Sequence, residues 1–148
     1  MKISAKGRYA LAATTIMAEK YISGEHITVV SISDKLGISK IYLEQVFSLL
    51  KRGGIVNSTQ GAQGGYKLTK SPSQTTVFDV LSAVELSLVE PSELTVSDNA
   101  PEIEAALKIT VFDILDDSIK QSLSNITLDG LVAEAEKHKT SQELMYYI

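Results

Sequence analysis

Cysteine and tryptophan are absent from this 148-residue sequence, and histidine occurs only as His26 and His138. Without cysteine there are no disulfides, no thiol redox chemistry and no thiolate ligands for an iron–sulfur cluster. Metal ligands reduce to the two histidines and the carboxylates, and His26, read as a surface residue in a turn, has no other ligand type beside it. No apolar run reaches the length of a membrane span, and the opening MKISAKGRYALAATT lacks the apolar stretch of a signal peptide. No GK[ST] ending completes a phosphate-binding loop, and no histidine–carboxylate pair accompanies a serine motif. These absences argue against an enzyme and for a soluble, cytoplasmic protein without a membrane partner or cofactor.

What is present is a charge imbalance. The formal net charge is −4, which by itself is unfavourable for nucleic-acid binding. Residues 1–70, however, carry ten Lys/Arg against four acids, whereas residues 71–148 carry four Lys against fourteen. Phosphates reward local positive charge through counterion release, so the basic half is the expected electrostatic footprint.

The basic half also contains the most informative stretch, Thr28 to Lys70. Thr28 suits an N-cap, and Val29, Ile32 and Leu36 give one apolar face to a short helix. Gly37 then stands where a helix end takes a left-handed residue. Ser39 caps a second helix whose Leu43, Phe47 and Leu50 recur at i, i+4, i+7, and Gly53-Gly54 ends it. This is the helix-turn-helix pattern, whose second helix enters the DNA major groove. Base-reading candidates at its outer face are Ser39, Ile41, Tyr42, Glu44 and Gln45. Lys40, Lys51, Arg52 and Thr28, with Lys6 and Arg8 near the N-terminus, are candidates for phosphate contact. Two alternating segments, 55–59 and 66–69, flank the wing loop Gln60-Gly61-Ala62-Gln63-Gly64-Gly65, with Tyr66 opening the second. The expected fold is mainly α: a winged helix-turn-helix with a two-stranded wing, plus a long dimerisation helix.

Around this stretch, residues 5–22 read as an amphipathic helix, and Thr76 to Asp79 resembles a capping box opening another. The winged domain is therefore assigned to residues 1–85, with a loop over 86–100. Pro101 begins the expected longest helix, running to about Ser124 with a wide apolar stripe. Its Leu107, Val111, Ile114 and Leu115 form the expected two-fold dimer seam on a palindromic double-stranded DNA operator. Thr127 caps a last short helix to about residue 137, followed by a polar and then apolar tail over 138–148. That tail either folds back on the dimer or docks a partner through Tyr146, Tyr147 and the carboxylate of Ile148.

MKISAKGRYAL, ISKIYLEQVF, GAQGGYKL and ITLDGLV together resemble the Rrf-two (Rrf2) family over nearly the whole chain. The resemblance implies a dimeric winged-helix transcriptional regulator, generally a repressor. Cluster-binding members carry three cysteines between the fourth helix and the long helix, where residues 86–100 have none. Many members also place arginine before the first wing glycine, where this chain has Gln60. The opening and the Met-aromatic-Tyr-Ile end are most similar to the cysteine-metabolism repressors of the CymR type. That likeness implies control of sulfur supply and O-acetylserine sulfhydrylase as a partner for the tail. The competing expectations are a regulator of the same family with an unrelated effector and an interaction module that retained the fold without DNA binding.

Overall fold

A computed structural model of the protein describes residues 3–62 and 64–146. Gln63 of the wing and Tyr147 and Ile148 of the expected docking tail lie outside the described residues. The winged part comprises helices α1 (Ala5–Glu19), α2 (Val29–Leu36) and α3 (Lys40–Arg52), strands β1 (Val56–Thr59) and β2 (Gly65–Leu68), and helix α4 (Val77–Val84).

The caps fall on the expected residues. Thr28 Oγ1 accepts the Ser31 N–H at 3.1 Å and Ser39 Oγ accepts that of Tyr42 at 3.1 Å. Between them Gly37 takes a left-handed φ of 68°, so the chain reverses at little steric cost. Leu43, Val46, Phe47 and Leu50 present one fully buried face of α3 to Ile32 of α2 and to α1 and α4. Thr76 and Asp79 form a reciprocal capping box at the start of α4, at 3.0 and 3.1 Å.

β1 and β2 pair antiparallel, with Val56 opposite Leu68 and Thr59 opposite Gly65. A third segment joins them: Ile27 and Tyr66 exchange N–H···O bonds, both at 2.8 Å. This approach explains the paired glycines. A Cβ on Gly65 would lie 2.7 Å from the Ile27 carbonyl oxygen, and one on Gly64 would lie 2.2 Å from that of Thr59. Side chains there would open the wing.

Two expectations about the C-terminal half need correction. The long helical run does span 101–124, but as α5 (Pro101–Leu107), a π-helical turn (Lys108–Phe112) and α6 (Asp113–Ser124). The Asp113 N–H bonds the Lys108 carbonyl, and the Lys108 ammonium grips the Asp113 carboxylate at 2.9 and 3.0 Å. That i,i+5 pair faces itself across the wider turn, a device that apolar periodicity does not reveal. The final helix is not short. α7 runs from Leu128 to Tyr146, through the polar run expected to be a tail. Thr127 caps it as expected, accepting the Gly130 N–H at 3.1 Å. Beyond Val132 it is exposed, carried by helix-forming residues and by Glu134, which pairs with Lys137 and His138.

Candidate nucleic-acid interface

The outer face of α3 is built by elimination. Once Leu43, Val46, Phe47 and Leu50 are buried, Ile41, Glu44, Gln45 and Ser48 can only point outward, and all four are exposed. Ile41 is 72% exposed, a large apolar group held at the protein surface, of the kind that can pack on a thymine methyl. Glu44 pairs with Lys40 at 3.8 Å, both half-exposed. Such an exposed pair holds little energy, so the carboxylate is free to accept from a cytosine amino group and the ammonium to move to a phosphate.

The first turn of α1 joins this face. Lys6 lines one open hollow together with Ile41, Glu44, Gln45, Ser48 and Leu49. Arg8, two residues on and round the helix from Lys6, is exposed. Lys51 and Arg52 occupy the exposed last turn of α3. The cations therefore bracket the reading face at both ends, which suits phosphate contacts that position the helix without specifying sequence.

Three sequence-derived candidates are engaged within the protein. Ser39 spends its oxygen on the α3 cap. Tyr42 is half-buried, its ring edge-on to Tyr9 at 5.4 Å between centroids. Tyr66 turns inward to place its ring 4.6 Å from that of Phe47. These residues hold the reading elements in place: Tyr42 ties α3 to α1, and Tyr66 ties the wing to α3. Thr28, capping α2, lines a second hollow with Ala62 and Gly64 of the wing. Gln60 and Gly61 are exposed at the wing tip.

His26, expected at the surface, is half-buried, with Nε2 2.8 Å from Thr59 Oγ1. It braces the end of β1. Among the described residues no three His, Cys, Asp or Glu side chains gather as a metal site.

The family model described as "Rrf2: Iron-dependent Transcriptional regulator" matches residues 3–134. The chain belongs to the Rrf2 family. The HTH-type transcriptional regulator IscR of Pectobacterium carotovorum is 38% identical over 136 residues, covering 92% of this chain and 82% of IscR. The structure of CymR, the global cysteine regulator of B. subtilis, aligns with a TM-score of 0.70 at 31% identity. It covers 90% of this chain and 98% of CymR. IscR of T. potens aligns with a TM-score of 0.72 at 31% identity, covering 99% and 97%. As an Rrf2 protein the chain is a DNA-binding transcriptional regulator and not an enzyme. The winged helix expected from the sequence is the fold of these neighbours. No helix among the described residues is long and apolar enough to cross a membrane.

The family's iron description does not fit this chain's donor set. The segment between α4 and α5, where the family resemblance places three cysteine ligands, contains none. It is held instead by a carboxylate. Glu104 is 5% exposed, and its Oε2 accepts the N–H groups of Thr95 at 3.1 Å and Val96 at 2.7 Å. In the sequence Glu104 suggests only a partner for the helix dipole. A lone glutamate nine residues downstream gives no signal of the contact it makes.

Proposed function

We propose that the protein is a cytoplasmic homodimeric repressor that reads a palindromic operator, with one α3 in each of two major-groove half-sites. The observation that carries this reading is the outward face of α3, apolar and polar by turns, bracketed by Lys6, Lys51 and Arg52. Dimerisation is supported by the long helix, where Leu107, Val111, Ile114 and Leu115 are between 37% and 56% exposed on one chain. Exposed apolar groups in this number on neighbouring turns mark a partner surface. Mapping the genomic fragments bound in cells tests the reading; it expects a two-fold symmetric motif, and recovery of no enriched sequence would defeat it.

The regulated genes are those of cysteine and sulfur supply, a reading supported by the likeness to CymR and by the sequence at both ends. No cofactor takes part, because the chain has no cysteine to hold a thiolate-ligated cluster. Protein purified without oxygen is expected to be colourless and to bind DNA unchanged by thiol oxidants; an iron-dependent absorption band would refute this.

The partner is O-acetylserine sulfhydrylase, engaged by the terminal residues Tyr146, Tyr147 and Ile148. Adjacent aromatic and branched apolar side chains are a chemistry that shallow pockets capture. Removing Ile148 is expected to abolish enzyme binding in a pull-down or calorimetric titration while DNA affinity is retained. Unchanged enzyme affinity in the truncated protein would assign the tail a packing role only.

A further inference from the structure

Glu85 follows the last residue of α4, 81 positions from Ser4 in sequence, yet the two meet. Glu85 Oε1 accepts the Ser4 N–H at 2.8 Å and also the Ser4 hydroxyl proton. The same hydroxyl oxygen accepts the Gly7 N–H at 3.2 Å and so caps α1. A relay of carboxylate, hydroxyl and amide thus pins the start of α1 to the end of α4. Gly7 leaves room for it: a Cβ there would lie 2.7 Å from Glu85 Oε1 and 3.1 Å from Glu85 Cγ. Lys6 lies inside the turn that this relay holds, and Arg8 directly follows it.

We propose that Glu85 is a positioning residue for DNA binding. By fixing the Ser4 cap it holds the first turn of α1, and with it Lys6 and Arg8, against the phosphates beside α3. Where ordering a frayed first turn costs more than its phosphate contacts return, those contacts are not made and their counterions are not released. The inference rests on the reading of Lys6 and Arg8 as phosphate contacts. Its sign is diagnostic, since an acidic group near DNA that merely repelled phosphate would tighten binding when removed.

The test measures affinity of the full chain for a mixed-sequence DNA duplex between roughly 50 and 200 mM salt, where the slope counts phosphate contacts. Removing both cations, Lys6→Ala with Arg8→Ala, is the reference and is expected to lower the slope by about 1.8 per protomer. Glu85→Ala is expected to weaken binding about tenfold and to lower the slope by a similar amount. Glu85→Gln, which keeps the acceptor, is expected to restore the slope. Gly7→Ala provides a second route. Its methyl would lie 2.7 Å from both Glu85 Oε1 and Ile3 Cγ2, each at the end of a side chain that can turn aside, and it suits a helix, so the fold is retained while the relay breaks.

Combining Glu85→Ala with loss of both cations is expected to add nothing to the slope change. An independent, additive loss would overturn the proposal, as would tighter binding by Glu85→Ala or an unchanged slope in both Glu85→Ala and Gly7→Ala. If the cation variant alone leaves the slope unchanged, the phosphate reading of Lys6 and Arg8 fails and the proposal falls with it.

Discussion

Replacing Ile114 by aspartate is expected to convert the proposed dimer into a folded monomer and to weaken binding to a palindromic duplex by at least about a hundredfold. In a single chain Ile114 is 56% exposed, so the charge costs the monomer little. In a two-fold interface it would be buried twice, opposite Val111, Leu115 or its own copy. An unpaired buried charge costs roughly 3–5 kcal/mol, and each 1.4 kcal/mol, roughly, is tenfold in affinity. A dimer bound to two half-sites loses the benefit of joint binding when it dissociates. Ile22→Asp is the control, since Ile22 is 97% exposed and lies in the turn after α1, away from the long helix. Sedimentation of the two variants measures the difference. An Ile114→Asp protein that stays dimeric, or one that unfolds while Ile22→Asp does not, would place this face in a role other than the dimer seam.

How much of this is legible in the sequence depends on whether the signal is local. Caps and apolar periodicity act within a turn or two, so Thr28, Gly37, Ser39, Thr76 and Thr127 can be placed from their neighbours alone. The buried face of α3 follows from the same periodicity, and its outer face from what remains. Contacts between distant segments are not legible. Nothing near Ile27 announces that it will pair with Tyr66, because one residue carries no alternation. Nothing near Glu104 or Glu85 distinguishes a carboxylate that holds backbone amides from one that faces water. Tyr42 and Tyr66 read as DNA contacts because they lie in the reading elements, whereas aromatic rings have enough area to be drawn toward the core. The length of α7 escapes for the opposite reason. Its last turns have no buried stripe, and helix propensity with exposed ion pairs sustains them where periodicity falls silent.

Glu44→Ala and Lys51→Ala are expected to fail in different ways, and the contrast separates reading from holding. Glu44 is exposed in the middle of the outward face, flanked by Ile41, Gln45 and Ser48. On the proposed reading its carboxylate, which can only accept, would select cytosine through its amino group and disfavour bases that present acceptors. A good contact of this kind discriminates by about 1–3 kcal/mol per base pair. In the proposed dimer a symmetric operator would be read by both protomers, so changing the same base in both half-sites is expected to cost the wild type roughly 2–6 kcal/mol. In the Glu44→Ala protein that penalty should largely vanish, with the altered operator bound nearly as well as the original. Lys51 lies at the exposed C-terminal turn of α3, where on the same reading a cation would meet the phosphate backbone and carry no sequence information. Its removal should weaken every duplex alike and lower the salt slope by about 0.9 per protomer. Competition binding over a panel of single-base operator variants, repeated at several salt concentrations, measures both quantities. An equal loss for all sequences in Glu44→Ala would remove this residue from the reading face, and a sequence-dependent loss in Lys51→Ala would bring that one into it.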